Sequence, residues 1–153
     1  MNKYGLVGKK LGHSLSPEIH NYIFDKLGVE AEYSLYEIED GKDILKLMEE
    51  KGIKGFNITI PYKEIVMSQL DFISEEAEKI GAVNLVKIKN GESYGYNSDY
   101  YGVVEMLEKH DVKVKGKICY VLGSGGASKS VIVALHDLGA KEIVVVTRDV
   151  ESK

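Results

Sequence analysis

The order of strand and helix signals limits this chain's fold more than any other feature. Residues 3–8 (KYGLVG) read as a strand ending in a glycine-containing loop. Ser16-Pro17 then opens a helix that carries Ile19, Ile23 and Leu27 at four-residue spacing as its apolar stripe, and Gly28 ends it. Residues 32–38 alternate as a second strand. Residues 43–51 form an amphipathic helix with Ile44, Leu47 and Met48 inward, stopped by Gly52. Residues 55–63 (GFNITIPYK) are the third strand and its terminal turn, in which Ile58 and Ile60 alternate with Asn57 and Thr59 and Pro61 stops ladder pairing for want of an N–H. Strand, helix, strand, helix, strand implies an α/β domain with a mainly parallel sheet covered by helices.

In such sheets small ligands sit beyond the carboxyl ends of the strands. Ser14, Ser16, Asn57, Thr59 and Lys63 all fall at or near those ends. Two hydroxyls beside a helix N-terminus can hold a carboxylate or phosphate, because the free N–H groups and the helix dipole favour an anion there. The same serines also suit plain helix capping, with Ser16 as N-cap and Pro17 at the first helical position. An amide, a hydroxyl and an ammonium arriving together at a strand end can bind a polar small molecule and move a proton on it. A strand edge with a surface lysine is the simpler reading of that stretch.

Residues 64–80 read as helix in two pieces, broken near 69–72. Asn90-Gly91 is a hairpin signal that joins strands at 84–88 and 93–96, an antiparallel pair at the edge of the parallel part. Ser98 can cap a helix over 99–110 with Val103, Met106 and Leu107 inward. Asp99 in its first turn is favourable by the dipole alone. The lysine-rich residues 111–116 mark a boundary between a domain at 1–112 and a second unit at 113–153. In that unit an apolar strand at 117–122 runs into Gly123-Ser124-Gly125-Gly126-Ala127-Ser128, then a helix over 127–138 and a strand over 142–147. The pattern G-x-G-x-x-S between a strand and a helix approaches the dinucleotide fingerprint. Glycines let the backbone approach a pyrophosphate, and the helix N-terminus supplies N–H groups. The second strand ends in Thr147-Arg148. An arginine there suits a 2′-phosphate and favours NADP, whereas the following Asp149 keeps NAD open.

Composition removes several classes of function. With 153 residues, 44% of them apolar, the chain is long enough for one ordinary domain or two small ones. The net charge of -4 is scattered and Arg148 is the sole arginine, so no basic face for nucleic acid is present. A single cysteine, Cys119, allows neither an intrachain disulfide nor a multi-cysteine metal site, which fits a reducing cytoplasm; no metal is expected. No secretory signal and no run of about 20 apolar residues for a membrane span is evident.

Taken together, these pieces resemble the shikimate dehydrogenase family. The resemblance runs through Gly12-His13-Ser14-Leu15-Ser16-Pro17 with His20-Asn21, Asn57-Ile58-Thr59-Ile60-Pro61-Tyr62-Lys63, and Gly81-Ala82-Val83-Asn84. Tyr96-Asn97-Ser98-Asp99 with Gly102 and the glycine loop complete it. It implies reversible reduction of 3-dehydroshikimate to shikimate by NADPH in aromatic amino acid biosynthesis. Lys63 and Asp99 would form the catalytic pair. Ser14 and Ser16 would hold the substrate carboxylate, and Asn57, Thr59, Asn84 and Asp99 the ring hydroxyls. Gly123, Ser124, Gly125, Gly126, Ala127, Thr147 and Arg148 would hold the cofactor. Ser98 stands where the family usually has threonine and keeps a capping hydroxyl. The resemblance further implies a Rossmann-like nucleotide domain of which only the first β-α-β unit is present, so the chain reads as a fragment. The family's C-terminal segment and most of its basic cluster are missing, with Ser152 where a basic residue is common and Lys153 a weak substitute. Alternatives are a quinate/shikimate dehydrogenase using NAD, or a silent substrate-binding fragment; a homodimer is left open.

Overall fold

The computed structural model describes residues 1–148, and the expectations placed on Asp149, Ser152 and Lys153 lie outside them. The chain folds into two compact α/β units that divide between Tyr96 and Asn97.

The first unit is a six-stranded sheet in the order β2-β1-β3-β5-β6-β4. β1 (Asn2–Gly8) lies parallel to both β2 (Ala31–Glu37) and β3 (Ile53–Ile58). The crossovers are α1 (Ser16–Leu27) and α2 (Ile44–Glu50), as parallel neighbours require. β5 (Leu85–Lys89) runs antiparallel to β3 and to β6 (Glu92–Tyr96). The β5–β6 turn is the expected Asn90-Gly91, with φ of 56° and 80°, the two positive values a tight hairpin turn demands. The pair is not itself the sheet's edge. Residues 64–80 break as expected, but into a 3₁₀ turn (Ile65–Gln69), a short strand β4 (Phe72–Ile73) and α3 (Glu75–Ile80), and β4 adds on parallel to β6. Asp71 clasps that edge: its carboxylate accepts from both the N–H and the hydroxyl of the buried Ser93.

The core joins Val7, Phe56 and Ile58 from the parallel strands to Ile44 and Met48 of α2, with Val66, Ala77, Val83 and Val86. Two expected apolar patterns are corrected. Ile60 does not continue the alternation: β3 ends at Ile58, and Tyr62 N–H closes a turn onto Thr59 O at 3.0 Å, which leaves Ile60 77% exposed. Nor do Ile19, Ile23 and Leu27 form the inward stripe of α1; all three are exposed. The half-buried residues are Ser16, Pro17, His20, Asn21 and Phe24, also at helical spacing. The inward face of α1 is half polar because His20 and Asn21 have partners on β2, so an apolar stripe could not reveal it.

The second unit holds α4 (Ser98–Lys109), β7 (Ile118–Leu122), α5 (Gly126–Asp137) and β8 (Glu142–Val146), with β7 parallel to β8. Val114, Val121 and Leu135 are its buried centre, packed by Leu107, Val131 and Ile143. Met106, expected inward, is exposed. The expected boundary at 112/113 falls inside this unit, in which α4 packs on α5. On the β7–β8 pair, Cys119 and Val121 turn toward α5, while Ile118, Tyr120 and Leu122 on the other face are exposed. Among the described residues no helix is long and apolar enough to cross a membrane.

Candidate active site

The carboxyl ends of β1, β2, β3 and β6 lie along one edge of the first sheet, and β5 starts there. Beyond β1, the Ser14 hydroxyl accepts from Ser16 N–H at 3.2 Å and donates to Ser16 Oγ at 3.0 Å. Ser16 is therefore not the cap expected from sequence. It is the first helical residue, and Ser14 satisfies its N–H. Both oxygens stand together at the N-terminus of α1, where unpaired helical N–H groups favour an anion.

Beyond β3 the packing is close. A Cβ on Gly8 would come within 2.6 Å of Thr59 Cγ2, so only glycine lets the end of β1 approach Thr59, whose N–H donates to Val7 O at 3.0 Å. Asn57 lies on the face of β3 opposite Phe56 and Ile58. Its Nδ2 donates to Asn84 O at 3.5 Å, and Asn84 O also accepts from Ile58 N–H at 2.9 Å. Asn84, 7% exposed, donates its own N–H to Tyr96 O. Lys63 is anchored through its carbonyl, which accepts from Val83 N–H at 2.8 Å. The buried Tyr62 beside it donates its hydroxyl to Ile38 O at 2.7 Å. The first unit thus brings Ser14, Ser16, Asn57, Thr59, Lys63 and Asn84 to one sheet edge.

Three residues that carried no assigned role in the sequence connect to Asn57 and Ser16. Tyr33 of β2, 4% exposed, donates its hydroxyl to Asn57 Oδ1 at 2.7 Å. Burial pushes its phenol up to about 12. Asn21 grips the Tyr33 backbone with both halves of its amide, at 2.8 and 3.0 Å. His20 stacks on the Tyr33 ring at 4.0 Å, and its Nδ1 lies 2.8 Å from Ser16 O, an acceptor that requires the proton on Nδ1.

Asp99 belongs to the second unit, in the first turn of α4. The cap is Asn97, not Ser98: Asn97 Oδ1 accepts from Asp99 N–H at 3.1 Å and Tyr100 N–H at 3.3 Å. Carboxamides cap as well as hydroxyls do. Asn97 Oδ1 also accepts from the buried Ser130 hydroxyl of α5 at 3.3 Å. Asn97→Ala removes all three acceptor contacts, and urea unfolding is expected to show a loss of about 1–2 kcal/mol.

The glycine loop of the same unit follows β7 directly. Gly123 has φ of +107°, which excludes ordinary side chains, and donates to Val146 O. Gly125 is the N-cap of α5, and a Cβ there would meet nothing within 4 Å. The loop therefore needs no glycine at 125 for internal packing, and the space before Gly126 and Ala127 at the helix start is open to a phosphate. Ser124 Oγ lies 3.1 Å from Thr147 Oγ1, joining the loop to the end of β8, and Arg148 beyond it is exposed. The donor set fits a nucleotide diphosphate, with Arg148 placed by the strand end for a further phosphate.

The sequence profile of the shikimate dehydrogenase substrate binding domain matches residues 6–86. The chain belongs to the shikimate dehydrogenase family. It is 51% identical over 153 residues to the shikimate dehydrogenase (NADP(+)) of Clostridium perfringens, covering 99% of this chain and 56% of that protein. Among solved structures, shikimate 5-dehydrogenase from Thermus thermophilus in complex with NADP(H) and shikimate is 35% identical at a TM-score of 0.83, over 97% of this chain and 56% of that one. The Listeria monocytogenes shikimate 5-dehydrogenase, in complex with shikimate and NAD, is 31% identical at a TM-score of 0.90, over 99% and 53%. This chain spans about half the length of these shikimate dehydrogenases. The match to residues 6–86 lies within the unit whose edge gathers the serine pair, both asparagines and Lys63.

Proposed function

We propose that the chain carries the substrate site and the first nucleotide-binding elements of a shikimate dehydrogenase, which reversibly reduces 3-dehydroshikimate to shikimate with NADPH. The observation that carries this reading is the gathering of Ser14, Ser16, Asn57 and Asn84 on one sheet edge with the Lys63 backbone pinned beside them. In this reading Ser14 and Ser16 hold the substrate carboxylate at the start of α1. Asn57, Thr59 and Asn84 bond the ring hydroxyls. Lys63 delivers the proton to the oxygen that gains charge during reduction and takes it back in the reverse direction. Asp99 shares in orienting that oxygen and balancing the ammonium; support for the pairing is that only Asn97 and Ser98 separate it from the last residue of β6. NADPH, when bound, supplies the hydride. The loop from Gly123 to Ala127 cradles its pyrophosphate, and Arg148 with Thr147 receives the 2′-phosphate. Residues 1–112 then serve the substrate and those from 113 the cofactor.

A second reading is favoured by the match of a substrate binding domain to residues 6–86: the chain binds substrate without turning it over. Titrating this chain with shikimate while following thermal unfolding tests the substrate site. The expected result is a midpoint that rises with shikimate concentration. Shikimate-dependent reduction of NADP by the same sample separates the enzyme from the binding module, and NAD in its place tests the role given to Arg148. An unmoved midpoint at millimolar shikimate removes the substrate assignment.

A further inference from the structure

We propose that Tyr33 is a positioning residue that holds the Asn57 carboxamide in one orientation, so that Asn57 offers a bound substrate its N–H edge. This rests on the shikimate-binding reading and names a residue outside the set that reading uses.

A carboxamide has one edge that only accepts and one that only donates, and in the absence of a fixed partner it can present either. In this fold Tyr33 and Asn84 make the choice together, because Asn84 O can only accept and so takes the N–H edge, which leaves Oδ1 to the Tyr33 hydroxyl. That hydroxyl donates to Asn57 Oδ1 at 2.7 Å, which occupies the accepting edge. The donating edge makes a long contact of 3.5 Å to Asn84 O, and an Nδ2 group carries two N–H bonds. One donor therefore remains for a ligand oxygen. A ring carbonyl can only accept, and a ring hydroxyl can accept as well as donate, so an N–H edge serves both oxidation states of a polyhydroxy ring acid.

Tyr33 is itself held from three sides. Asn21 takes its backbone N–H and C=O, as a neighbouring strand would. His20 lies flat on its ring, with an interplanar angle of 12°, and ties back to Ser16 O. The ring is buried, and burial keeps the phenol protonated far above neutral pH, so the hydroxyl stays a donor. Ser16, His20, Tyr33, Asn57 and Asn84 thus form one connected series within the first unit. The carboxylate end and the hydroxyl end of the substrate site are set by the same buried ring.

Calorimetric titration of shikimate into this chain and into Y33F, N57A and the double variant tests the proposal. Tyr33→Phe keeps the stacked ring and removes one hydrogen bond, so affinity is expected to fall about fivefold. In the Asn57→Ala background the same change is expected to cost nothing further, which a merely structural role of Tyr33 would not produce. The Asn57 side-chain NH₂ resonances, assigned by their loss in N57A, are expected to shift on adding shikimate to the unmodified chain. Binding by Y33F equal to that of the unmodified chain, an undiminished penalty in the double variant, or NH₂ resonances that shikimate leaves in place would each overturn the proposal while leaving the substrate site standing. Absence of binding by the unmodified chain would instead remove the parent reading and this one with it.

Discussion

Lys63→Ala, introduced into an enzyme with a complete nucleotide half, is expected to lower kcat by about 10²- to 10⁴-fold, the range for losing a general acid, while KM for shikimate stays within a few-fold. The asymmetry follows from where the side chain starts. The backbone at Lys63 is fixed by Val83 N–H on its carbonyl, and the preceding Tyr62 is buried with its hydroxyl on Ile38 O. Neither contact uses the lysine side chain, so its truncation leaves both in place. The proposed substrate contacts come from Ser14, Ser16, Asn57, Thr59 and Asn84, and these keep their own partners. In the proposed role, what goes is the ammonium that would meet charge growing on the ring oxygen, an interaction made mainly in the transition state. Steady-state kinetics in both directions check this. A raised KM with unchanged kcat would make Lys63 a binding residue, and near-normal values of both would take it out of the site.

The strand and helix order was legible because glycine, proline and alternation punctuate it: every expected element of the first three strands and two helices is present within two residues of its expected bounds, apart from the strand reading of the turn after Ile58. The convergence of Ser14, Ser16, Asn57, Thr59 and Lys63 on one edge was legible for the same reason, since it follows from a parallel sheet, whereas Asn84 entered only through the family resemblance. What stayed hidden was polar contact between elements far apart in sequence. Tyr33 looked like one more residue in an alternating strand, and nothing local announces that its hydroxyl meets an amide on β3. The inward face of α1 was misread because His20 and Asn21 sit there for their hydrogen bonds and ring contact, while Ile19 and Leu27 stay exposed. The cap of α4 was misplaced by one residue because Asn97 and Ser98 are both good caps and only three-dimensional geometry chooses.

Phe56→Ala is expected to destabilise the first unit by about 3–5 kcal/mol, the cost of a large-to-small change in a close-packed core. Phe56 is 1% exposed, sits on β3 between β1 and β5, and is registered with Gly5 on one side and Val86 on the other. Gly5 brings no side chain of its own beside it, and the Tyr36 ring lies over that glycine and packs on the same core. Such a loss is a large part of the roughly 5–15 kcal/mol that holds a typical domain together. Urea unfolding followed by far-UV circular dichroism measures it, with Asn97→Ala as the matching perturbation in the second unit. Because the chain forms two compact units, the two variants are expected to move different parts of the transition. The consequence reaches the site through the strand itself. Phe56 and Asn57 are successive residues on opposite faces of β3, so a strand loosened on its apolar face no longer holds the Asn57 amide against Tyr33. Phe56→Ala is therefore expected to weaken shikimate binding even at temperatures where the variant stays folded, and unchanged affinity in the folded variant would show that the polar edge is set independently of the core beneath it.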